Sequence, residues 1–436
     1  MADLKMDNGL IQASRRRNRG LLVFQKTGSL TMGEIGWVAT VLLLLFGFFT
    51  PISFPPSVFY AWLAVIALLS FIKISSGVPK TFGAGQWFCL GLLCLAGIAL
   101  YYLNEYGGGY ALRVLVVVIG AYLLIGVLDV APPRYAESLF YGVASVLLAL
   151  MLIFWVLQPS LFAHMGGVDK SDDLAPLIYG ELDKNWTALF VFLYFAYSIK
   201  GRKKIGIFLG LAYPFAYMGR QYLMMLAFLL VAFFLMHVRK GYLEHGISAA
   251  LSKPTILLIL FAASGIIVSV LSYLWVTYVI PTGIVGYKTG LNDGSNAMRM
   301  ASINYVINRV CSDSAFLYRG FDQSVFNALG INTVETGYGK TYYIMGLYRL
   351  VQPHNEVINM LVKEGLIFTV LYYGAVSNIL AKLVDSRLNA TILISFLIGC
   401  LFLHQMFTCQ TLLLLIFVLA SGRSSSINVS VKSGAS

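Results

Sequence analysis

Charge is what this sequence has least of. Only 11% of its 436 residues are Asp, Glu, Lys or Arg, while 58% are hydrophobic and the mean hydropathy is +0.79. An ordinary soluble domain carries roughly 25% charged residues, so a soluble globular chain is excluded. Acidic residues are the scarcer sign, 19 against 31 basic. No group of them has metal-site spacing, and the pair Asp172-Asp173 reads as solvated loop. The five cysteines build no disulfide framework, metal finger or redox pair: Cys89, Cys94, Cys400 and Cys409 fall in or at apolar runs, and Cys311 stands without a visible partner. Internal repeats, low-complexity tracts and Pro-rich linkers are missing too, which leaves one domain with tails. The basic run Arg15–Arg17 has neither an apolar core directly behind it nor a small-residue cleavage site, so no removable signal peptide is expected.

What the sequence has in abundance is apolar runs about 20 residues long, enough to cross a hydrocarbon core as helix. The runs are continuous and lack the period-2 alternation of barrel strands. An all-α polytopic membrane protein follows, with about twelve spans near 35–53, 57–74, 85–103, 111–130, 139–157, 185–200, 204–219, 221–238, 254–280, 364–381, 390–406 and 408–422. Basic residues in the short connections orient it. Arg15, Arg16, Arg17, Arg19, Lys26, Lys73, Lys80, Lys200, Arg202, Lys203, Lys204, Arg239, Lys240, Lys253, Lys382, Arg387 and Arg423 all fall on one side if the spans alternate. That side is expected to be cytoplasmic, with both termini inside. The domain then runs over 35–422, between a basic tail at 1–34 and a tail at 423–436. The net charge of +12 is a topology signal, with no nucleic-acid partner implied.

Two outward connections are long, near 158–184 and 281–363, and loops of that length in a compact protein are usually functional or disordered. The second carries Tyr305, Phe316, Tyr318, Phe321, Phe326, Tyr338, Tyr342, Tyr343 and Tyr348, a composition able to pack into an ordered cap. Within it, Met300, Ile303, Val306, Ile307 and Val310 recur at helical spacing and predict an interfacial helix over 296–310, with Arg299, Asn304 and Asn308 elsewhere on its surface.

Most outward cations are expected to be solvated, but Arg220 lies in the tight turn Gly219-Arg220-Gln221 between two apolar spans, where a charge is costly without a partner. Its planar guanidinium suits a phosphate or pyrophosphate oxygen. His354 follows Pro353 at the end of the long connection, and Asn355 is placed to cap a helix running through Glu356, Val357, Met360, Leu361 and Glu364 into the tenth span. Imidazole is the side chain best suited to general-base work near neutral pH, with Glu356 or Glu364 available to orient it. His404, near the outer end of the eleventh span beside Gln405, reads as packing.

The run Pro353-His354-Asn355-Glu356-Val357-Ile358-Asn359-Met360-Leu361-Val362-Lys363-Glu364-Gly365 resembles the His-Asn … Gly motif of the O-antigen polymerase and O-antigen ligase (Wzy-like) superfamily. Gly219-Arg220 is similar to that family's arginine between two central spans, and Met298-Arg299-Met300-Ala301-Ser302 to its arginine opening a periplasmic helix. The resemblance covers roughly residues 180–420. The chain departs from the pattern at Ile303, where an aromatic residue is frequent and Tyr305 stands nearby, and at Arg319 in Ser314-Ala315-Phe316-Leu317-Tyr318-Arg319-Gly320, where glycine is frequent.

The resemblance implies a GT-C-like membrane glycosyltransferase of the bacterial inner membrane, working at the periplasmic face on an undecaprenyl-pyrophosphate-linked oligosaccharide. His354 would be the general base for the acceptor hydroxyl, and Arg220 and Arg299 would hold the pyrophosphate as charge develops on it. Asn355, Glu356, Glu364, Arg319 and Tyr305 would support the site. No metal and no cofactor are expected. Two enzyme readings share this machinery. In a polymerase the acceptor is another lipid-linked repeat unit and a chain-length regulator is an expected partner; in a ligase of lipopolysaccharide assembly it is lipid A–core. A lipid-linked oligosaccharide flippase is a third reading, against which stand the outer placement of the polar residues and the missing repeat.

Overall fold

The computed structural model describes residues 30–49, 56–75, 82–103, 108–128, 131–157, 184–216, 220–238, 242–280, 294–312, 318–320, 333–335, 341–343, 355–399, 401 and 409–422. Helix follows helix: α1 Met32–Phe49, α2 Pro56–Ser75, α3 Ala84–Leu103, α4 Gly108–Leu123 with a π turn at Leu124–Leu128, α5 Arg134–Leu157, α6 Lys184–Lys200 and α7 Lys204–Ala216. They continue as α8 Arg220–Val238, α9 Tyr242–Leu251, α10 Pro254–Leu274 with a π turn at Trp275–Val279, α11 Gly294–Ser312, α12 Glu356–Leu383, α13 Arg387–Gly399 and α14 Cys409–Ala420. Two departures from the expected pattern are small. The ten-residue α9 fills what reads in sequence as a plain connection, and packs on α13. Between α11 and α12 in sequence, β1 Thr333–Glu335 pairs antiparallel with β2 Thr341–Tyr343, placing Val334 opposite Tyr342. Thr, Val and Tyr favour that pleated conformation.

Helix starts follow local chemistry. Thr31 and Glu34 form a reciprocal capping box on α1, the Glu34 carboxylate accepting from the Thr31 amide at 2.8 Å and the Thr31 hydroxyl from the Glu34 amide at 3.2 Å. Pro56 opens α2 and Pro254 opens α10, positions where a missing N–H costs nothing.

Among the described residues, six helices are long and apolar enough to cross a membrane: Ser57–Ser75, Ala84–Tyr102, Ala111–Leu128, Arg134–Ile153, Pro254–Val279 and Glu356–Leu383. Shorter apolar helices, Met32–Phe46, Ala188–Lys200, Lys204–Pro214, Tyr222–Phe234, Arg387–Gly399 and Thr411–Ala420, stand at the other expected positions. Leu68, Phe71, Phe88, Leu95 and Tyr102 turn outward and are well exposed. An apolar exterior over spans of this length marks a membrane protein.

The centre of the bundle is α14, whose residues 412–420 are all fully buried, flanked by α4, α6 and α1. Between helices in lipid, close packing and polar contacts replace the hydrophobic drive that holds a soluble core. Gly206 and Gly210, one turn apart on α7, let α6 approach so closely that a Cβ on either would run into Ser198 or Phe195. Gly120 on α4 likewise receives the Trp62 ring, whose indole donates to Thr40 on α1 at 3.1 Å.

One end of the bundle gathers the basic residues. Lys73 donates to the carbonyl of Leu128. Lys200 caps the last turn of α14, donating to Val418 O at 3.1 Å and Leu419 O at 2.8 Å, and Asn389 donates to Leu419 O at 2.9 Å and Leu383 O at 2.8 Å. Lys203 donates to Tyr197 Oη at 2.6 Å and lies over the Tyr141 and Tyr197 rings, while the Gly422 amide donates to Glu137 at 2.8 Å. Burial pulls the Lys203 ammonium below the ordinary lysine range, and Glu137 opposes that shift. Each of these contacts joins helix ends that strict alternation puts on the same side.

Candidate functional site

At the opposite end, three elements meet. α10 rises from Pro254, passes through its π turn, and α11 packs against both. The buried face of α11 is Ala297, Ala301, Ser302, Ile303 and Val306, with Tyr305, Ile307 and Val310 partly covered. The helix expected over 296–310 is thus present, extended to Gly294–Ser312, and its small residues at 297 and 301 add to the expected apolar stripe. Arg299 lies on this helix, half-buried and engaged with a partner, so it is not the solvated surface charge that periodicity implies.

α12 is broken where the sequence reads as continuous. Gly365 adopts φ 78 and ψ 173, a conformation that is essentially glycine-only. The break separates a short segment, 356–364, from the membrane helix 366–383. Asn355 is the cap of the short segment: extended and fully buried, it accepts from the Ile358 amide through its side chain at 3.0 Å. Ile358 and Val362 then pack with Val268 of α10 and Ile303 and Val306 of α11 in one small apolar cluster. The structure therefore fastens the helix that carries Arg299 to the segment whose cap, Asn355, follows His354 in the sequence.

The remaining predicted positions fall as follows. Glu356 is buried in the first turn after the cap, where a carboxylate is favoured by the helix dipole. Glu364 is buried at the other end of the segment, about 14 Å from Asn355 at 1.5 Å per residue. Its carboxylate faces the Ala111 backbone in the first turn of α4. Of the two acids, Glu356 is the one beside the cap. Arg319 is exposed, next to Gly320, whose α-carbon abuts the backbone of Lys363 and Glu364; a Cβ there would overlap the Lys363 carbonyl. Arg220 is the first residue of α8, and Tyr222 two positions on anchors that turn by donating to Gly210 O at 2.7 Å and meeting the Tyr213 ring edge-on at 5.1 Å. His354, His404, the side chain of Arg220, the tails, and most of both long connections lie outside the described residues.

Sequence reasoning did not single out Ser302 and Asn359, both about 1% exposed and, among the described residues, without a hydrogen-bond partner at Ser302 Oγ or at either end of the Asn359 amide. The visible signal for Asn359 is an amide four residues after the Asn355 cap in an otherwise apolar run. Among the described residues no group of three or more His, Cys, Asp or Glu side chains is gathered to hold a metal.

No family model, no curated protein and no solved structure matches this chain.

Proposed function

We propose that this protein is a GT-C-like glycosyltransferase of about twelve spans, both termini cytoplasmic, that polymerises undecaprenyl-pyrophosphate-linked oligosaccharide repeat units into O-antigen or a related surface polysaccharide at the periplasmic face of the bacterial inner membrane. The observation that carries this reading is the junction of α11 with the short segment 356–364. Its Asn355 cap, Gly365 break and shared cluster of Ile303, Val306, Ile358 and Val362 give the His-Asn … Gly run a built structural setting, at the end of the bundle away from the basic contacts.

The chemistry follows from the residue types. His354 takes the proton of the acceptor sugar hydroxyl as its oxygen attacks the anomeric carbon. The bond from that carbon to the pyrophosphate oxygen breaks, and the lipid pyrophosphate departs with the electron pair. Arg220 and Arg299 stabilise the charge that grows on the leaving oxygens, contributing more in the transition state than in the ground state. One-step displacement inverts the anomeric centre.

The test is transfer by the purified, reconstituted protein. A lipid-pyrophosphate-linked repeat unit supplied alone should yield a ladder of products. Transfer seen only after lipid A–core is added would make the protein a ligase, and no transfer under either condition would overturn the enzyme reading in favour of transport.

A further inference from the structure

We infer that the groove between α10 and α12 holds the polyprenyl chain of the donor, an assignment that rests on the proposed function and names the tail site that function needs. The groove encloses about 360 Å³. Leu258 to Val270 of α10 form one wall, about 18 Å at 1.5 Å per residue, more than half of a ~30 Å hydrocarbon core.

Its origin is the break in α12. Leu361 before Gly365 and Leu366 after it both face the groove, so the change of direction at Gly365 is what parts α12 from α10 here. Ala262 and Gly265 keep the opposite wall low. The lining is almost wholly apolar, and its two aliphatic hydroxyls are already used: Ser269 donates to Gly265 O at 2.7 Å and Thr369 to Gly365 O at 2.6 Å. Ile266, Val270, Leu366 and Val370 are exposed along the rim, so the groove opens sideways, to the surroundings of the bundle. Phe261 and Tyr373, with ring centroids 4.6 Å apart, form its wall toward the basic end.

The other end decides the occupant. There the lining is Val357 and Ile358, in the first turn after the Asn355 cap, and Ile307, two turns beyond Arg299 on α11. A hydrocarbon chain lying in the groove therefore brings its polar end beside the first turn after the Asn355 cap and beside α11, the helix that carries Arg299. A donor whose pyrophosphate is held by arginine and whose tail is a long, neutral, branched hydrocarbon matches that sequence of environments.

Two measurements on the full-length, reconstituted protein test this. In the first, a polyprenyl pyrophosphate with a photoreactive group within its chain is irradiated with the protein, beside a phospholipid carrying the same group on an acyl chain, and labelled peptides are mapped. Preferential polyprenyl labelling of the α10 and α12 groove residues is expected; labelling elsewhere, or equal labelling by the phospholipid, overturns the assignment. In the second, Ala262→Trp fills the groove, and donors with a full-length chain and with a chain too short to reach residue 262 are compared. The KM for the long-chain donor should rise about tenfold or more while the short-chain donor is unaffected; an unchanged long-chain KM in the variant also overturns it. A product ladder from wild type with labelling outside the groove leaves the polymerase reading standing and removes only the groove. Labelling in the groove without any ladder does the reverse.

Discussion

The Asn355 side chain accepts a hydrogen bond from the Ile358 amide at 3.0 Å, capping a helix that starts at Glu356, two residues after the histidine proposed as general base. That cap fixes where the helix begins at Glu356. Asn355→Ala should therefore cost about 0.5–2 kcal/mol of local stability and lower activity. Asn355→Ser, which keeps an acceptor, should restore most of both. Thermal unfolding in nanodiscs and transfer rate, measured on the same preparations, check this; equal rates for the Ala and Ser variants would detach the cap from function.

Gly365 offers a second handle. At φ 78 and ψ 173 an alanine is strained by about 1–3 kcal/mol, and the neighbouring contact with Gly320 leaves no room for a side chain there either. Gly365→Ala and Gly320→Ala should each lower the unfolding temperature and disturb the short segment between them. Their effects should combine non-additively, because both report on one backbone contact at Lys363 and Glu364. Strict additivity in the double variant would contradict a shared junction.

The helical, membrane-spanning character was legible because apolar runs of span length admit one solution in lipid, helix with its backbone bonded internally. The helix at Gly294–Ser312 was legible from Ile303 and Val306, whose spacing survives in the folded cluster. The break at Gly365 was not, since the helical spacing of Val357, Met360 and Leu361 leads straight into the apolar run that begins at Leu366 and hides the change of direction. Nor was the abutment of Gly320 on Lys363, a contact between residues far apart in sequence with no side chain to signal it. The half-burial of Arg299 was missed for a related reason: periodicity assigns a face, and the small residues Ala297 and Ala301 shift that face toward the bundle.

The two arginines should separate from the histidine in kinetic behaviour. If they act on the leaving pyrophosphate, Arg299→Ala and Arg220→Ala should each reduce kcat/KM by roughly 10²–10³, the scale for loss of one charge-stabilising donor. Arg299→Lys should recover part of it, because an ammonium supplies charge without the two-oxygen fork. Steady-state kinetics with varied donor concentration make the comparison. Wild-type kcat/KM in either alanine variant would remove that arginine from the donor site.

The proposed proton transfer rests on His354. The most direct measurement compares wild type with His354→Ala, reconstituted at matched thermal stability, for growth of a size-resolved product ladder from a lipid-pyrophosphate-linked repeat unit. The prediction is a ladder from wild type and none from the folded variant. A ladder of equal rate and length from His354→Ala would contradict a general base at this position.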